Sequence, residues 1–107
     1  MASTFKTLYE GQLPNAVATL ATVPALTSWI IKHISCVNAD VGSAHLMALY
    51  RNGTTGAKLM TPPDVSVPAG GMYEFTGTLA LEAGGTLAGV TDTGGAITVI
   101  VDGDEVS

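Results

Sequence analysis

The chain has 107 residues, a formal net charge of −5, and a composition that is 47% hydrophobic and 12% charged. This length suits one domain, and the hydrophobic content excludes wholesale disorder. The four lysines and arginines form no basic run, which excludes the positive footprint that nucleic-acid binding requires. An anionic membrane surface would also repel the chain. We therefore predict one domain over residues 1–107, with neither a nucleic acid nor a membrane among its partners.

Cysteine usage and the N-terminal segment give no sign of export. Cys36 is the one cysteine, so no intrachain disulfide forms, and its place inside an apolar run predicts a small buried side chain. Residues 1–10 lack the apolar region of a secretory signal. The uncharged segment Leu13–Ile31 is nearly long enough to cross a bilayer. Its prolines, Pro14 and Pro24, favour two strands over a helix.

Glycine and proline divide the chain into short segments rich in β-branched residues. No segment of about 12 residues or more combines a helical period with capping residues. The pair Asn52-Gly53 predicts a hairpin whose return lies in Ala57–Met60. About eight strands are expected. Phe5–Tyr9 is either a first strand or an arm, and the other segments are Val17–Val23, Ser28–Val37, Ser43–Arg51, Val65–Pro68, Met72–Thr76, Thr78–Leu81, Thr86–Thr91 and Ala96–Val101.

Short strands with turns at regular intervals predict an all-β fold. We expect a single two-sheet β-sandwich, and both a jelly-roll and an Ig-like strand order remain open. In the third strand, regular alternation places Ile30, Ile34 and Cys36 on one face, interrupted by Lys32, and His33 on the other face. Both faces are partly apolar, which is typical of a strand covered on both sides.

The residue types that carry catalysis do not converge in any motif. His33 and His45 are the only imidazoles, and alternation places the Cys36 thiol on the face opposite His33. The glycine pairs open no helix after a strand, so they predict turns and not phosphate-binding loops. We therefore predict that the protein is not an enzyme, and we assign it no catalytic residue and no cofactor.

The C-terminal segment 102–107 is predicted to be an acidic tail. Asp102, Asp104 and Glu105 offer the carboxylate oxygens that calcium prefers. The sequence lacks the Asp-x-Asp-x-Asp-Gly loop, so solvated charge is the expectation and no metal site is assigned. Whether these three residues bind a cation stays open at this point.

The N-terminal segment 1–10 is predicted to be a first strand or a docking arm. Phe5, Leu8 and Tyr9 are apolar residues near a terminus, where such a segment either pairs into its own sheet or docks on a neighbour. We name these three residues as the predicted partner interface. The low charge content of the chain also indicates burial in an assembly.

One group of proteins shares the order of these segments. Those that carry the resemblance are LYEGQLP from Leu8, ATLATVPA from Ala18, WIIKHI from Trp29, LALEAGGTL from Leu79 and ITVIVDGDEV from Ile97. The chain resembles small virion proteins of tailed bacteriophages, some of which are head decoration, or cement, proteins. Gly85 departs from the pattern, in which an acidic residue follows Glu-Ala-Gly.

The resemblance implies a structural protein that is made in the host cytoplasm and bound to the capsid exterior. It implies the major capsid protein as partner and a homo-oligomer, with a trimer favoured. The arm would add a strand to a neighbouring sheet, and no catalytic residue carries over. The alternative is a tail- or fibre-associated β-sandwich that recognises a ligand or carbohydrate, which predicts an exposed patch of aromatic side chains.

Overall fold

The computed structural model describes residues 3–107 as a β-sandwich of two four-stranded antiparallel sheets, which confirms the predicted fold class. The one helical element in this range is a 3-10 turn at Gly56–Lys58, and no helix within it is long and apolar enough to cross a membrane. The strands are β1 (Ser3–Gln12), β2 (Ala18–Thr22), β3 (Ser28–Asn38), β4 (His45–Arg51), β5 (Val65–Val67), β6 (Met72–Leu81), β7 (Thr86–Thr91) and β8 (Ile97–Val106).

The chain passes from one sheet to the other at nearly every connection. The strand order is β1-β8-β3-β6 in the first sheet and β2-β7-β4-β5 in the second, so only β4 and β5 are consecutive strands in one sheet. The connections 13–17, 39–44, 68–71 and 92–96 therefore meet at one end of the sandwich, which we call the four-loop end. The connections 23–27, 52–64 and 82–85 lie at the other, which we call the three-loop end.

A β-bulge in β3 changes which of its side chains face the core. The pairing register of β3 shifts between Ile31 and His33 against both of its neighbours. Trp29 and Ile31 therefore face inward before the shift and are buried. Ile34, Cys36 and Asn38 face inward after it and are also buried. The prediction that Ile30 shares the face of Ile34 and Cys36 is wrong, because a bulge adds one residue and reverses the alternation. Exposed Lys32 lies at the bulge and so avoids the core.

The core lies between the inner faces of the two sheets. Its buried cluster consists of Leu13, Val23, Trp29, Ile31, Ile34, Cys36, Met47, Leu49, Val67, Leu81, Leu87, Ile97, Val99 and Val101. At the three-loop end the backbones approach closely at Gly103. A Cβ there would meet the Ile30 carbonyl oxygen and would lie 2.9 Å from the Ile31 Cα. Only glycine fits at this position without a shift of backbone.

The predicted tail and arm are both strands of the first sheet. The prediction of an acidic tail over 102–107 is wrong for residues 102–106, which continue β8 between β1 and β3. Of the segment 1–10, residues 1 and 2 lie outside the described residues, and residues 3–10 form β1, the edge strand next to β8. The predicted return at Ala57–Met60 is a 3-10 turn with one bridge from Leu59 to Tyr50, and β5 is the strand that pairs with β4.

Candidate protein-binding surface

The edge of the first sheet at β1 offers backbone groups to a partner. Leu13, just beyond β1, donates its backbone N–H to the Ile97 carbonyl at 2.9 Å. In an antiparallel ladder the residues alternate between those that bond across the pair and those that do not. Counting back from Leu13 through the register with β8, Glu10 and Gln12 direct their N–H and C=O groups away from β8. These groups face the open side of β1 and form a template for an added strand.

Of the three residues predicted as the partner interface, the structure exposes Phe5 most. The Phe5 side chain is 65% exposed, while Leu8 and Tyr9 are half-buried and packed against the core. The register shift of β1 between Thr7 and Tyr9 turns the strand at Leu8. Tyr9 lies over Gly11, where a Cβ would be 2.8 Å from the tyrosine Cζ. The three residues thus divide between an outward-facing ring and a pair that anchors β1, and their role as an interface stays a prediction.

Phe5 lies in a row of side chains across the outer face of the first sheet. Its cross-strand neighbour on β8 is Asp104, which is in turn opposite Ile30 on β3. Asp104 forms an ion pair with Lys32, with 3.0 Å between Oδ2 of the aspartate and Nζ of the lysine. An exposed aromatic ring and a half-buried isoleucine therefore flank an ion-paired carboxylate, so this part of the outer face carries no net charge.

The acidic residues of β8 are partnered, and the prediction of solvated charge is wrong. Asp102 accepts a hydrogen bond from the Thr7 hydroxyl at 2.8 Å. Glu105 lies on the inner face, where it accepts hydrogen bonds from the Trp29 indole N–H at 3.1 Å and from the Lys6 ammonium at 3.2 Å. The Trp29 bond first, and the Lys6 bond after it, hold the pKa of the Glu105 carboxyl below its ordinary value. These carboxylates therefore bond to side chains on the neighbouring strands of their own sheet.

A buried histidine joins two loops at the four-loop end. The His45 side chain is 9% exposed, with Nε2 at 2.9 Å from an Asp40 carboxylate oxygen and Nδ1 at 2.7 Å from an Asp92 carboxylate oxygen. Ionised carboxylates can only accept hydrogen bonds, so two of them on one ring favour the form of His45 in which both ring nitrogens carry protons. The Asp40 bond first, and the Asp92 bond next, raise the pKa of His45. We call these three residues the His45 clamp.

The carboxylates of the clamp are also held by backbone groups. The hydrogen bond from the His45 ring lowers the pKa of Asp40 most, and the hydrogen bond from the backbone N–H of Gly42 lowers it further. For Asp92 the backbone N–H of Leu46 lowers the pKa most, ahead of His45. Sequence reasoning missed this clamp, because Asp40 and Asp92 lie far apart in the chain and both read as turn residues.

Asn38 ties the same end of the sandwich together through its amide. It is fully buried, and its Nδ2 lies 2.9 Å from the Ser43 carbonyl oxygen and 3.2 Å from those of Val67 and Pro68. Its Oδ1 accepts the backbone N–H of Asp40 at 3.0 Å. One side chain therefore fixes the β3–β4 and β5–β6 connections to each other.

The structure places Cys36 and His33 in different surroundings, so they do not form a nucleophile–base pair. Burial raises the pKa of the Cys36 thiol to about 12, which leaves it protonated and inert near neutral pH. The His33 imidazole lies on the outer face and pairs with Glu74 at 2.7 Å. Over residues 3–107, no group of three or more His, Cys, Asp or Glu side chains is arranged to hold a metal ion.

A shallow hollow of about 180 Å³ lies on the outer face of the second sheet, toward the four-loop end. Leu46, Pro63 and Val90 supply apolar side chains to it, and Asp64 and Asp92 stand among its lining. Successive side chains of a strand point to opposite faces. His45 and Met47 are buried, so Leu46 between them faces outward. We call this depression the Leu46 hollow.

Comparison with known proteins finds a likeness to solved phage structures. No protein-family model and no curated protein matches the chain. Two crystal structures of a pentameric capsid protein isolated from metagenomic phage sequences match it with 20% sequence identity and a TM-score of 0.40. The match covers 97% of this chain and 64% or 65% of the solved chains, so this chain spans slightly less than two thirds of their length.

Proposed function

We propose that the chain is a structural protein of a phage virion that binds the outer surface of the head and stabilises the capsid lattice. The observation that carries the proposal is the open edge of β1 with the exposed Phe5 ring beside it. A sheet edge binds another protein through main-chain hydrogen bonds, and an apolar side chain on that edge adds a specific anchor. The resemblance to head decoration proteins supports the same function.

The strand order also fits this proposal. We infer that the sandwich is a jelly roll, because its sheets read β1-β8-β3-β6 and β2-β7-β4-β5. An Ig-type sandwich keeps several pairs of consecutive strands side by side in one sheet, whereas this chain does so only for β4 and β5. Jelly rolls are an architecture of viral capsid domains, although a fold by itself does not fix function.

The major capsid protein is the proposed partner, and a homo-oligomer, with a trimer favoured, is the proposed form on the head. A single added strand and one aromatic ring make a modest contact. Many copies that bind neighbouring sites on one lattice gain from multivalency, because every further contact is intramolecular. Charged residues are 12% of the chain, so little charge would be desolvated when copies bind side by side.

Binding to capsid shells tests the use of the β1 edge. Deletion of residues 1–9 would uncover β8 and unfold the sheet, so point variants are sharper. Glu10→Pro removes one N–H on the open side of β1, and proline is tolerated on edge strands. We expect Glu10→Pro and Phe5→Ser to lose shell binding in co-sedimentation, while the matched control Glu10→Ala retains it. Equal binding by all three folded variants would contradict the proposal.

The alternative, a tail- or fibre-associated module that recognises a ligand or carbohydrate, predicts a patch of exposed aromatic rings. Trp29 is buried, and Tyr73 and Phe75 are half-buried against the core. Phe5 is the one aromatic side chain that is mostly exposed among residues 3–107. The geometry therefore favours the capsid-binding function.

A further inference from the structure

Leu26 combines two unfavourable features in one residue. It lies in the tight connection 23–27 between β2 and β3, where its side chain is 93% exposed. Its φ angle is +62°, in the left-handed region where the Cβ of an L-residue crowds the backbone. Glycine or asparagine would occupy this position with less strain, and a polar residue would suit the exposure. The sequence nevertheless places a large apolar side chain here.

The turn that carries Leu26 is fixed to the body of the sandwich. Val23, three residues before it, is buried. The Val23 backbone N–H donates to the Gly85 carbonyl at 2.9 Å, and the Gly84 N–H donates to the Val23 carbonyl at 3.0 Å. The Thr27 hydroxyl donates to the Ala25 carbonyl at 3.3 Å. Leu26 is therefore held out from an anchored turn, which lowers the entropy that a contact through it would cost.

The Leu46 hollow lies toward the opposite end of the molecule, so Leu26 cannot fill it within one chain. Its volume of about 180 Å³ exceeds the roughly 150 Å³ of an apolar cavity that admits benzene. A leucine side chain has four carbons and fits in such a space. The segment from Pro24 to Ser28 carries no charge, so its burial against Leu46, Pro63 and Val90 desolvates no charge of its own, and the charged groups at the hollow are Asp64 and Asp92.

We propose that copies of this chain associate head to tail, with Leu26 of one copy inserted in the Leu46 hollow of the next. The second copy is the occupant because the chain itself carries both halves of the contact, an uncharged protruding leucine and a depression with room for it that presents the apolar side chains of Leu46, Pro63 and Val90. Contacts between two different surfaces build rings when the rotation closes. This contact between copies would add to the proposed capsid-binding function. The inference rests on that function only for the binding to the capsid that brings many copies together.

Charge gives the association a recognisable dependence on salt. Each copy has a net charge of −5, and the acidic residues Asp64 and Asp92 stand at the hollow. Like charges on approaching copies repel, and salt screens that repulsion. Added sodium chloride therefore strengthens this contact, whereas it would weaken one held by ion pairs.

Sedimentation equilibrium of the purified full chain over a range of concentrations tests the proposal. We expect a weak association that strengthens with salt and that Leu26→Gly weakens at least tenfold. The same variant has a higher melting temperature than the parent, because it relieves the left-handed strain. Val41→Ser, which removes a side chain that is 85% exposed in another loop, is the matched control and leaves the association unchanged.

A second variant examines the other half of the contact. Leu46→Glu places a charge in the hollow, and we expect it to abolish association while thermal melting confirms that it is folded. A parent chain that stays monomeric at every concentration and salt level would overturn the proposal. So would an association that Leu26→Gly leaves intact, or that Val41→Ser weakens equally. A monomeric chain that still binds capsid shells would refute only this inference and leave the proposed function standing.

Discussion

Replacement of Asn38 tests how the four-loop end is held. Asn38→Ala deletes two N–H donors that serve the carbonyls of Ser43, Val67 and Pro68, and one acceptor that serves the Asp40 N–H. Three hydrogen bonds at about 1 kcal/mol each give a loss of about 3 kcal/mol in the free energy of unfolding. The side chain is 0% exposed, so water cannot replace these bonds without opening the loops.

Urea denaturation followed by tryptophan fluorescence measures this loss, since Trp29 is the only tryptophan and is buried. A loss of about 3 kcal/mol lowers the melting temperature by roughly 12 °C for a domain of this size. Asn15→Ala, at an exposed asparagine of the same end, is the control and should stay within about 0.5 kcal/mol of the parent. A change below about 1 kcal/mol for Asn38→Ala would refute the reasoning, because the three hydrogen bonds of the Asn38 amide would then be dispensable.

Three further predictions follow from the described geometry. Because the pKa of His45 is raised in the folded chain, the clamp contributes its full stability at a pH below the ordinary imidazole pKa. That stability is lost as the pH rises through the pKa of the folded chain. Melting temperatures measured over pH should therefore decline at high pH in the parent and not in His45→Gln. Gly103→Ala forces a Cβ against the backbone of β3 and should cost more than the roughly 1–3 kcal/mol typical of overpacking, whereas Gly56→Ala, with open space around it, should be near neutral by denaturant titration. The Cys36 thiol, with a pKa of about 12, should resist a thiol reagent at neutral pH and react at once in denaturant; rapid labelling of the native chain would show that its burial is wrong.

Much of the fold could be predicted from the sequence. The positions of the strands followed from β-branched segments and from the glycines and prolines between them, and β7 begins and ends where it was expected. The inward face of β4, with Met47 and Leu49, alternates regularly. These features are local, because each depends only on residues that are near one another in the chain.

The features that the sequence hid depend on long-range pairing. The acidic end of β8 looked like a solvated tail, since nothing local showed that Lys6, Trp29 and Lys32 would neutralise or bond its carboxylates. The bulge of β3 at Lys32 had one signal in the sequence, a charged residue that interrupts an apolar face. Regular alternation with both faces covered is a different interpretation of the same pattern, and it places Ile30 on the wrong face. Charged residues that break an alternating pattern deserve to be weighed as bulge positions.

The candidate surface was predictable in part. Phe5 was named from its place near a terminus, and the structure exposes it, whereas Leu8 and Tyr9 turned inward because the sheet continues through them. Leu26 drew no notice in the sequence, since its strain is a property of the turn geometry. Its φ angle of +62° and its high exposure both depend on the folded conformation of the turn and cannot be predicted from the sequence.

The number of copies of this chain in a purified virion tests the central claim most directly. Quantitative mass spectrometry against the major capsid protein gives that ratio without any assumption about the contact. The account predicts copies in proportion to the capsid lattice, on the order of hundreds per particle, as multivalent coverage requires. A handful of copies would place the chain in the tail or neck, and its absence from particles would contradict the virion function altogether.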